Sequence, residues 1–181
     1  MSDDMDQKQP KIGKLDLPDE MMLLGGAMLA AQKLEFVLYG MASHLKKRGG
    51  KFKNLDPEEF LRGDGSTTKA TLGDIVREFA SDFQIDSEEL TRLVGDRNLI
   101  AHDYWRMTKA KIRGGRSLQD PEDFLFRFIS RCESWTAKCE GWLQLAIATI
   151  AERDGRSDEF VVTPESTAKL LEYLKHIANR Q

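Results

Sequence analysis

The amino-acid sequence predicts an all-α protein, an antiparallel helical bundle of four main helices plus a C-terminal helix. Apolar residues recur at three- and four-residue steps over most of the chain, as they do on the buried face of a helix. Several of these stretches open with Asp or Thr followed by Pro and acidic residues, which is typical of helix starts. The sequence contains no internal repeat and no convincing set of strands.

The first helix is predicted from Asp16 to about Arg48, with Pro18 in its first turn and Gly49-Gly50 at its end. The preceding residues 1–15 mix charge, Gly and Pro without periodicity, so we expect a disordered lead. The apolar stripe of the helix predicts one buried face, formed by Leu24, Met28, Ala31, Leu34, Leu38 and Met41.

Two shorter helices are predicted after a lysine- and glycine-rich connection over Gly49–Ser66, which itself holds a short helix at Asp56–Leu61. One runs from Thr71 to about Phe83. The other starts at Asp86, with acidic residues in its first turn, and continues to about Met107.

The fourth main helix begins at Asp120-Pro121, ends near Arg153, and is expected to run antiparallel to the first. This completes a predicted bundle over residues 16–153. The aromatic stripe of this helix would seal either the core or a subunit interface, and consists of Phe124, Phe128, Trp135 and Trp142. Residues 154–181 are predicted as a C-terminal extension, with an extended Phe160–Val162 and a last helix from Thr163 to about Asn179 packed on the bundle.

Size and composition limit the classes of protein to which this chain can belong. The 181 residues make about one domain, and 40% hydrophobic with 31% charged residues are typical of a soluble globular protein. The longest nearly apolar run, Met21–Ala31, is shorter than the roughly 20 residues of a membrane span, so no membrane insertion is expected. The polar, acidic start does not look like a secretory signal, and the expected compartment is the cytoplasm.

Metal and redox chemistry find little support in the sequence. Cys132 and Cys139 lie about 10 Å apart along one helix and are expected to be free thiols. The three histidines form no zinc-binding pattern with them, so neither a metal nor a cofactor is predicted. A net charge of −3 excludes a broadly basic nucleic-acid-binding surface but permits a local patch.

One segment, Arg97-Asn98-Leu99-Ile100-Ala101-His102-Asp103-Tyr104, carries a chemical pattern. It resembles the signature of the HEPN superfamily, an Arg-x4–6-His motif near the end of a bundle helix with a polar residue after the Arg. Tyr104 matches the His-x-Tyr extension of HEPN toxins that are paired with minimal nucleotidyltransferases. The Arg–His spacing alone is weak evidence for the family, and Asn98 and Tyr104 make the match more specific. The resemblance covers the bundle and leaves the residues from Phe160 unmatched.

The resemblance implies a metal-independent endoribonuclease, a toxin or defence effector, with Arg97, His102 and Asn98 as catalytic residues. It also implies a homodimer in which both motif helices line one cleft, RNA as the substrate, and an antitoxin such as a nucleotidyltransferase as a partner. Side-chain chemistry agrees, because histidine transfers protons near neutral pH and arginine is a permanent planar cation that suits phosphate. The alternatives are a non-catalytic HEPN-like module that binds RNA, a nucleotide or a partner protein, and a purely structural interaction bundle.

Other residues near the motif are assigned supporting roles. The predicted substrate-binding residues are Tyr104, Arg106, Lys109, Lys111 and Arg113, and Glu35 is a candidate for orienting the Arg–His pair.

Structural explanations of the same residues stay open. His102 could be a hydrogen-bonded helix-end histidine, with Arg97 paired to Asp96 or Asp103. Tyr104 could be a packing residue, Glu35 a core-edge residue, and the basic loop a solvated surface. An ideal helix would also place Arg97 and His102 about 140° apart around its axis.

Overall fold

The computed structural model describes residues 17–44, 72–79, 87–109, 118–159 and 161–179. These residues contain helices and turns but no strand, which confirms the all-α prediction. The helices are α1 (Leu17–His44), α2 (Leu72–Phe79), α3 (Ser87–Asn98), α4 (Tyr104–Thr108), α5 (Pro121–Arg153) and α6 (Pro164–Ala178). A π-helical turn (Leu99–Asp103) joins α3 to α4, and a 3-10 turn (Ser157–Glu159) follows α5.

The two C-terminal helices start and end at the predicted signals. The Asp120 carboxylate accepts a hydrogen bond from the Asp123 backbone N–H at 3.0 Å and caps α5. Thr163 and Ser166 exchange side-chain and backbone hydrogen bonds at the start of α6, forming a capping box. Gly155 follows α5 with φ of 68°, the left-handed conformation that glycine adopts most readily after a helix end.

The two long helices α1 and α5 run parallel, so the prediction that they are antiparallel is wrong. Ile129 packs beside Gly26, Lys33 pairs with Glu140 at 3.7 Å, and Leu143 packs beside Gly40. The residue numbers of the two helices therefore rise together along the contact.

The path of the chain between α1 and α5 explains this direction. Asp74 of α2 acts electrostatically on Tyr39, near the C-terminal end of α1, whereas Tyr104 reaches Glu20 in its first turn. The segment from α2 to α4 thus returns along α1 in the opposite direction. The next long helix, α5, then runs in the same direction as α1.

One core fills the space between α1, α2, α3 and α5. Phe128 and Trp135 of the aromatic stripe are fully buried in it, and Phe124 and Trp142 pack against its edge. The centre of the stripe therefore belongs to the core of the chain.

Helix α6 packs antiparallel on α5 at very short range. Lys169 pairs with Glu140 at 3.0 Å, and the His176 ring packs edge-on against Trp135, with ring centroids 5.1 Å apart. Next to the first of these contacts, Gly141 meets the backbone of α6, since a Cβ atom there would lie 2.1 Å from the Lys169 carbonyl oxygen. The absence of a side chain at Gly141 allows this approach.

Helix α1 is more apolar than expected. Within Pro18–Ser43 the mean hydropathy reaches 1.4, so this one described helix is long and apolar enough to cross a bilayer, with 28% of the stretch buried. The expectation was based on the shorter run Met21–Ala31, which ends at Gln32, whereas only Gln32, Lys33 and Glu35 interrupt a longer apolar helix. In the structure, α1 packs along α5.

Several predicted features fall outside the described residues. They are the lead over residues 1–15, the Gly49-Gly50 helix end, the short helix at Asp56–Leu61, Phe160, and the predicted ends of the second helix.

Candidate functional site

The motif spans the junction of α3 with the π-helical turn: Arg97 and Asn98 end α3, and His102 lies in the turn. Hydrogen bonds in a π-helix join residues five apart, and such turns are frequent at functional sites. Each turn holds more residues than in an α-helix, so Arg97 and His102 come closer to one face than the α-helical 140°. The sequence predicts one continuous α-helix here, because apolar periodicity does not reveal a single-turn change.

The two acidic neighbours of Arg97 in the sequence are paired with other arginines. Asp96 accepts a hydrogen bond from Arg131 of α5 at 2.7 Å, and Asp103 pairs with Arg106. Arg97 donates from Nη1 to the Asn98 amide oxygen at 3.2 Å. Among the described residues no carboxylate pairs with Arg97, so none of them compensates its charge at close range.

His102 lies on the surface of the π-helical turn. Its side chain is exposed and makes no hydrogen bond to any residue within the described ranges. On the opposite side, Ile100 inserts into the core and fixes the turn. The imidazole is therefore accessible to a ligand from solvent.

Tyr104 points into the protein and not toward a substrate. It is 6% exposed, and its hydroxyl donates to Glu20 Oε1 at 3.1 Å. Burial, and then the hydrogen bond to Glu20, raise the pKa of Tyr104 well above its ordinary value. The predicted substrate-binding role of Tyr104 does not fit this placement, whereas the alternative of a packing residue does.

Lys109 is held by the same carboxylate. Its ammonium donates to Glu20 Oε2 at 2.7 Å. Arg106, which is exposed, pairs with Asp103, while Lys111 and Arg113 lie outside the described residues. The basic charge expected next to the motif is thus partly neutralised, because Glu20 pairs with Lys109 and Asp103 pairs with Arg106.

Glu20 is a residue of this site that the sequence analysis missed. It is buried, and it occupies the same helix face as the core residues Ala27, Ala31 and Leu34. A carboxylate on the apolar stripe of a helix is the sequence signal that could have identified Glu20 as a buried, paired residue. Glu35, the predicted orienting residue, lies fifteen residues further along α1, about 22 Å from the level of Glu20. Its charge acts instead on Tyr39, whose pKa rises to about 12, mainly through burial.

The π-helical turn is thus fixed at both ends. Arg131 of α5 holds Asp96 before the turn, and Glu20 of α1 holds Tyr104 after it. Arg131 also lies 4.0 Å from Glu89, about two helical turns before Asp96 on α3. Two ion-paired or hydrogen-bonded contacts therefore set the orientation of the segment that carries Arg97 and His102.

The described residues contain no group of three or more His, Cys, Asp or Glu side chains that could hold a metal ion. Cys132 and Cys139 are buried free thiols, and burial raises the pKa of each to about 12. Neither thiol is a nucleophile at neutral pH. No family model matches the chain, and no curated protein or solved structure is significantly similar to it.

Proposed function

We propose that the protein is a metal-independent endoribonuclease of HEPN type that acts in the cytoplasm as a toxin or defence effector. Two observations support this most directly: His102 is exposed, and Arg97, five residues before it in the same helical segment, is not neutralised by any described carboxylate. In a purely structural role, Arg97 would be expected to pair with Asp96 or Asp103. Both acids are paired with other arginines.

The proposed reaction is attack of an RNA 2′-hydroxyl on its own phosphate. His102 accepts the 2′-hydroxyl proton, the 2′-oxygen bonds to phosphorus, and the bond from phosphorus to the 5′-oxygen breaks. Arg97 stabilises the negative charge that develops on the phosphoryl oxygens, and Asn98 orients its guanidinium. The 5′-oxygen leaves with a proton donated by a second histidine, and the products are a 2′,3′-cyclic phosphate and a 5′-hydroxyl.

The second histidine in this proposal is His102 of another copy of the chain. A homodimer in which two HEPN-like bundles share one cleft supplies one base and one acid to each phosphate. An antitoxin such as a nucleotidyltransferase would neutralise this activity in the cell.

The second candidate function is a non-catalytic HEPN-like module that binds RNA or a nucleotide. The pairing of Lys109 with Glu20 and of Arg106 with Asp103 favours it, because these pairs reduce the basic charge available for a long RNA backbone. A short ligand with one phosphate would need only Arg97 and His102.

Cleavage of end-labelled RNA by the purified protein in EDTA tests the proposal. We expect products with 2′,3′-cyclic phosphate ends, and a loss of about two orders of magnitude or more in His102→Ala and in Arg97→Ala. Arg92→Ala is the matched control, since Arg92 is an exposed arginine of the same helix that pairs with Glu88. A strict requirement for a divalent ion, or full activity in His102→Ala, would contradict the mechanism. RNA binding without cleavage would favour the second candidate.

A further inference from the structure

Trp105 is exposed next to the motif, although tryptophan is on average one of the most buried residues. It directly follows Tyr104 in α4, and its side chain is 70% exposed. The other two tryptophans of the chain lie in α5, where Trp135 is fully buried and Trp142 packs against the core. Ile100 and Tyr104 occupy the core-facing side of the helical segment, so Trp105 is directed away from the core. Packing within the chain therefore does not explain an indole at this position.

Trp105 lies on the same side of the helical segment as His102. The two residues are three apart, both are exposed, and α4 directly follows the π-helical turn. Side chains three apart on a helix are neighbours, with their Cβ atoms about 5–6 Å apart. Asp103 and Arg106, the next two residues at this spacing, form an ion pair across the same junction. The indole of Trp105 and the imidazole of His102 are therefore neighbouring parts of one exposed surface.

The charge of this segment suits a ligand that carries phosphate. Residues 97–109 contain three basic side chains and one acidic side chain. Glu20 adds a second carboxylate from α1, but it is buried and paired with Lys109. The described residues around Trp105 thus combine an exposed aromatic ring with a surplus of positive charge. Proteins that bind single-stranded nucleic acid use the same combination, in which cations hold phosphates and aromatic rings stack on bases.

We propose that a base of the RNA stacks on the indole of Trp105, and that the protein therefore takes RNA whose base next to the scissile phosphate is unpaired. This inference rests on the proposed function, which brings the phosphate to Arg97 and His102. A single ribose separates a base from its phosphate, so a phosphate held at His102 brings a base within reach of the neighbouring indole. In a duplex both faces of a base are covered by the stack, whereas an unpaired base is free to lie on the ring.

Stacking on Trp105 selects the strand state of the RNA and not its sequence, because every base has an aromatic face. The indole holds the nucleotide and transfers no proton, so Trp105 determines substrate binding and is not a catalytic acid or base. Its loss should raise KM for single-stranded RNA and leave kcat nearly unchanged. A duplex of the same sequence should gain nothing from Trp105.

Binding of a 2′-O-methyl RNA of about eight nucleotides tests the contact without cleavage, because this RNA has no free 2′-hydroxyl. We expect Trp105→Leu to weaken its binding about tenfold or more, and Trp105→Phe, which keeps an aromatic ring, to weaken it less. An abasic oligonucleotide of the same length has the same phosphates and no bases, so all three proteins should bind it equally. Phe36→Leu is the matched control, because Phe36 is a 53% exposed ring about 24 Å further along α1 than Glu20, which contacts Tyr104.

Tryptophan fluorescence gives a second readout of the same contact. Acrylamide in solution should quench Trp105 most strongly, since Trp105 is 70% exposed while Trp135 is fully buried and Trp142 packs against the core. The 2′-O-methyl RNA should protect the wild type from this quenching, and the abasic oligonucleotide should not. In Trp105→Phe the RNA should have no effect on the quenching.

Several outcomes would overturn the inference. They are equal affinity of the wild type and Trp105→Leu for the 2′-O-methyl RNA, an equal loss of affinity for the abasic oligonucleotide, and a wild type that binds neither. A change in the mass of Trp105→Leu in solution would also overturn it, because the ring would then contact another copy of the chain.

The stacking contact and the ribonuclease proposal fail in different measurements. A wild type that binds the 2′-O-methyl RNA through Trp105 but cleaves no RNA would contradict the ribonuclease and leave the stacking contact in place. Cleavage that depends on His102, with the same KM in the wild type and Trp105→Leu, would support the ribonuclease and overturn the stacking contact.

Discussion

At the scale of single residues, the pairing of charges distinguishes structural from functional side chains around the motif. The sequence alone shows Arg97 between Asp96 and Asp103, which suggests local ion pairs. In the structure each acid pairs with a different arginine. The arginine that pairs with Asp96 is Arg131, which lies 35 positions away on α5. Long-range partners of this kind have no local sequence signal. For the same reason the sequence analysis placed Glu35 beside the motif and missed Glu20, which the structure brings to Tyr104 and Lys109.

The hydrogen bond from Tyr104 to Glu20 allows a prediction about stability. Tyr104→Phe keeps the ring in the core but leaves Oε1 of a buried carboxylate without this donor. We expect the free energy of unfolding at pH 7 to fall by about 1–2 kcal/mol. Urea unfolding of both proteins measures it, and an unchanged midpoint would show that solvent replaces the hydroxyl.

The raised pKa of Tyr104 adds a pH dependence to the same comparison. The folded protein holds the neutral phenol, while in the unfolded chain it ionises near its ordinary value of 10.0. The stabilisation by Tyr104 is therefore fully present below about pH 10 and decreases as the pH rises toward its higher folded pKa. The difference in stability between the wild type and Tyr104→Phe should accordingly shrink between pH 9 and pH 11.

At the scale of helices, the sequence predicts element type well and direction poorly. Caps at Asp120 and Thr163 are local interactions, and the structure confirms both. The parallel arrangement of α1 and α5 depends instead on how the chain between them returns along α1. The π-helical turn was missed for a different reason, since it changes the helix over five residues while Ile100 still reaches the core.

The contact between α5 and α6 depends on one position without a side chain. Gly141→Ala would place a methyl group 2.1 Å from the Lys169 carbonyl oxygen and 2.9 Å from Tyr173 Cβ, so α6 must move away from α5. We expect a loss of about 2–3 kcal/mol or more in the free energy of unfolding, because backbone atoms cannot yield as a flexible side chain does. Thermal or urea unfolding measures this loss.

Gly95→Ala is the control for this substitution. Gly95 is also inside a helix, but a Cβ atom there would meet nothing within 4 Å. Alanine at this position should raise the free energy of unfolding by up to about 1 kcal/mol, because glycine is the poorer helix former. If both substitutions changed stability equally, the close packing of α6 on α5 would not be the cause.

At the scale of the whole molecule, the proposed reaction uses the exposed side of the π-helical turn, which presents Arg97 and His102. Which residues are exposed depends on how the helices assemble, and this has no local signal in the sequence. Met22 and Leu29, for example, belong to a helix that the sequence predicts as a core helix, yet both are exposed, because α5 and the segment from α2 to α4 cover other faces of α1.

Mixing the wild type with an inactive variant tests whether catalysis uses two copies. If one phosphate needs the histidines of both chains of a dimer, a heterodimer of wild type and His102→Ala keeps only one of them and is inactive. An excess of His102→Ala should therefore reduce the cleavage by a fixed amount of wild type several-fold. Arg92→Ala, added in the same excess, should increase cleavage instead, because Arg92 pairs with Glu88 away from the motif. Cleavage that stays proportional to the amount of wild-type protein, whatever the excess of His102→Ala, would place a complete site within each chain.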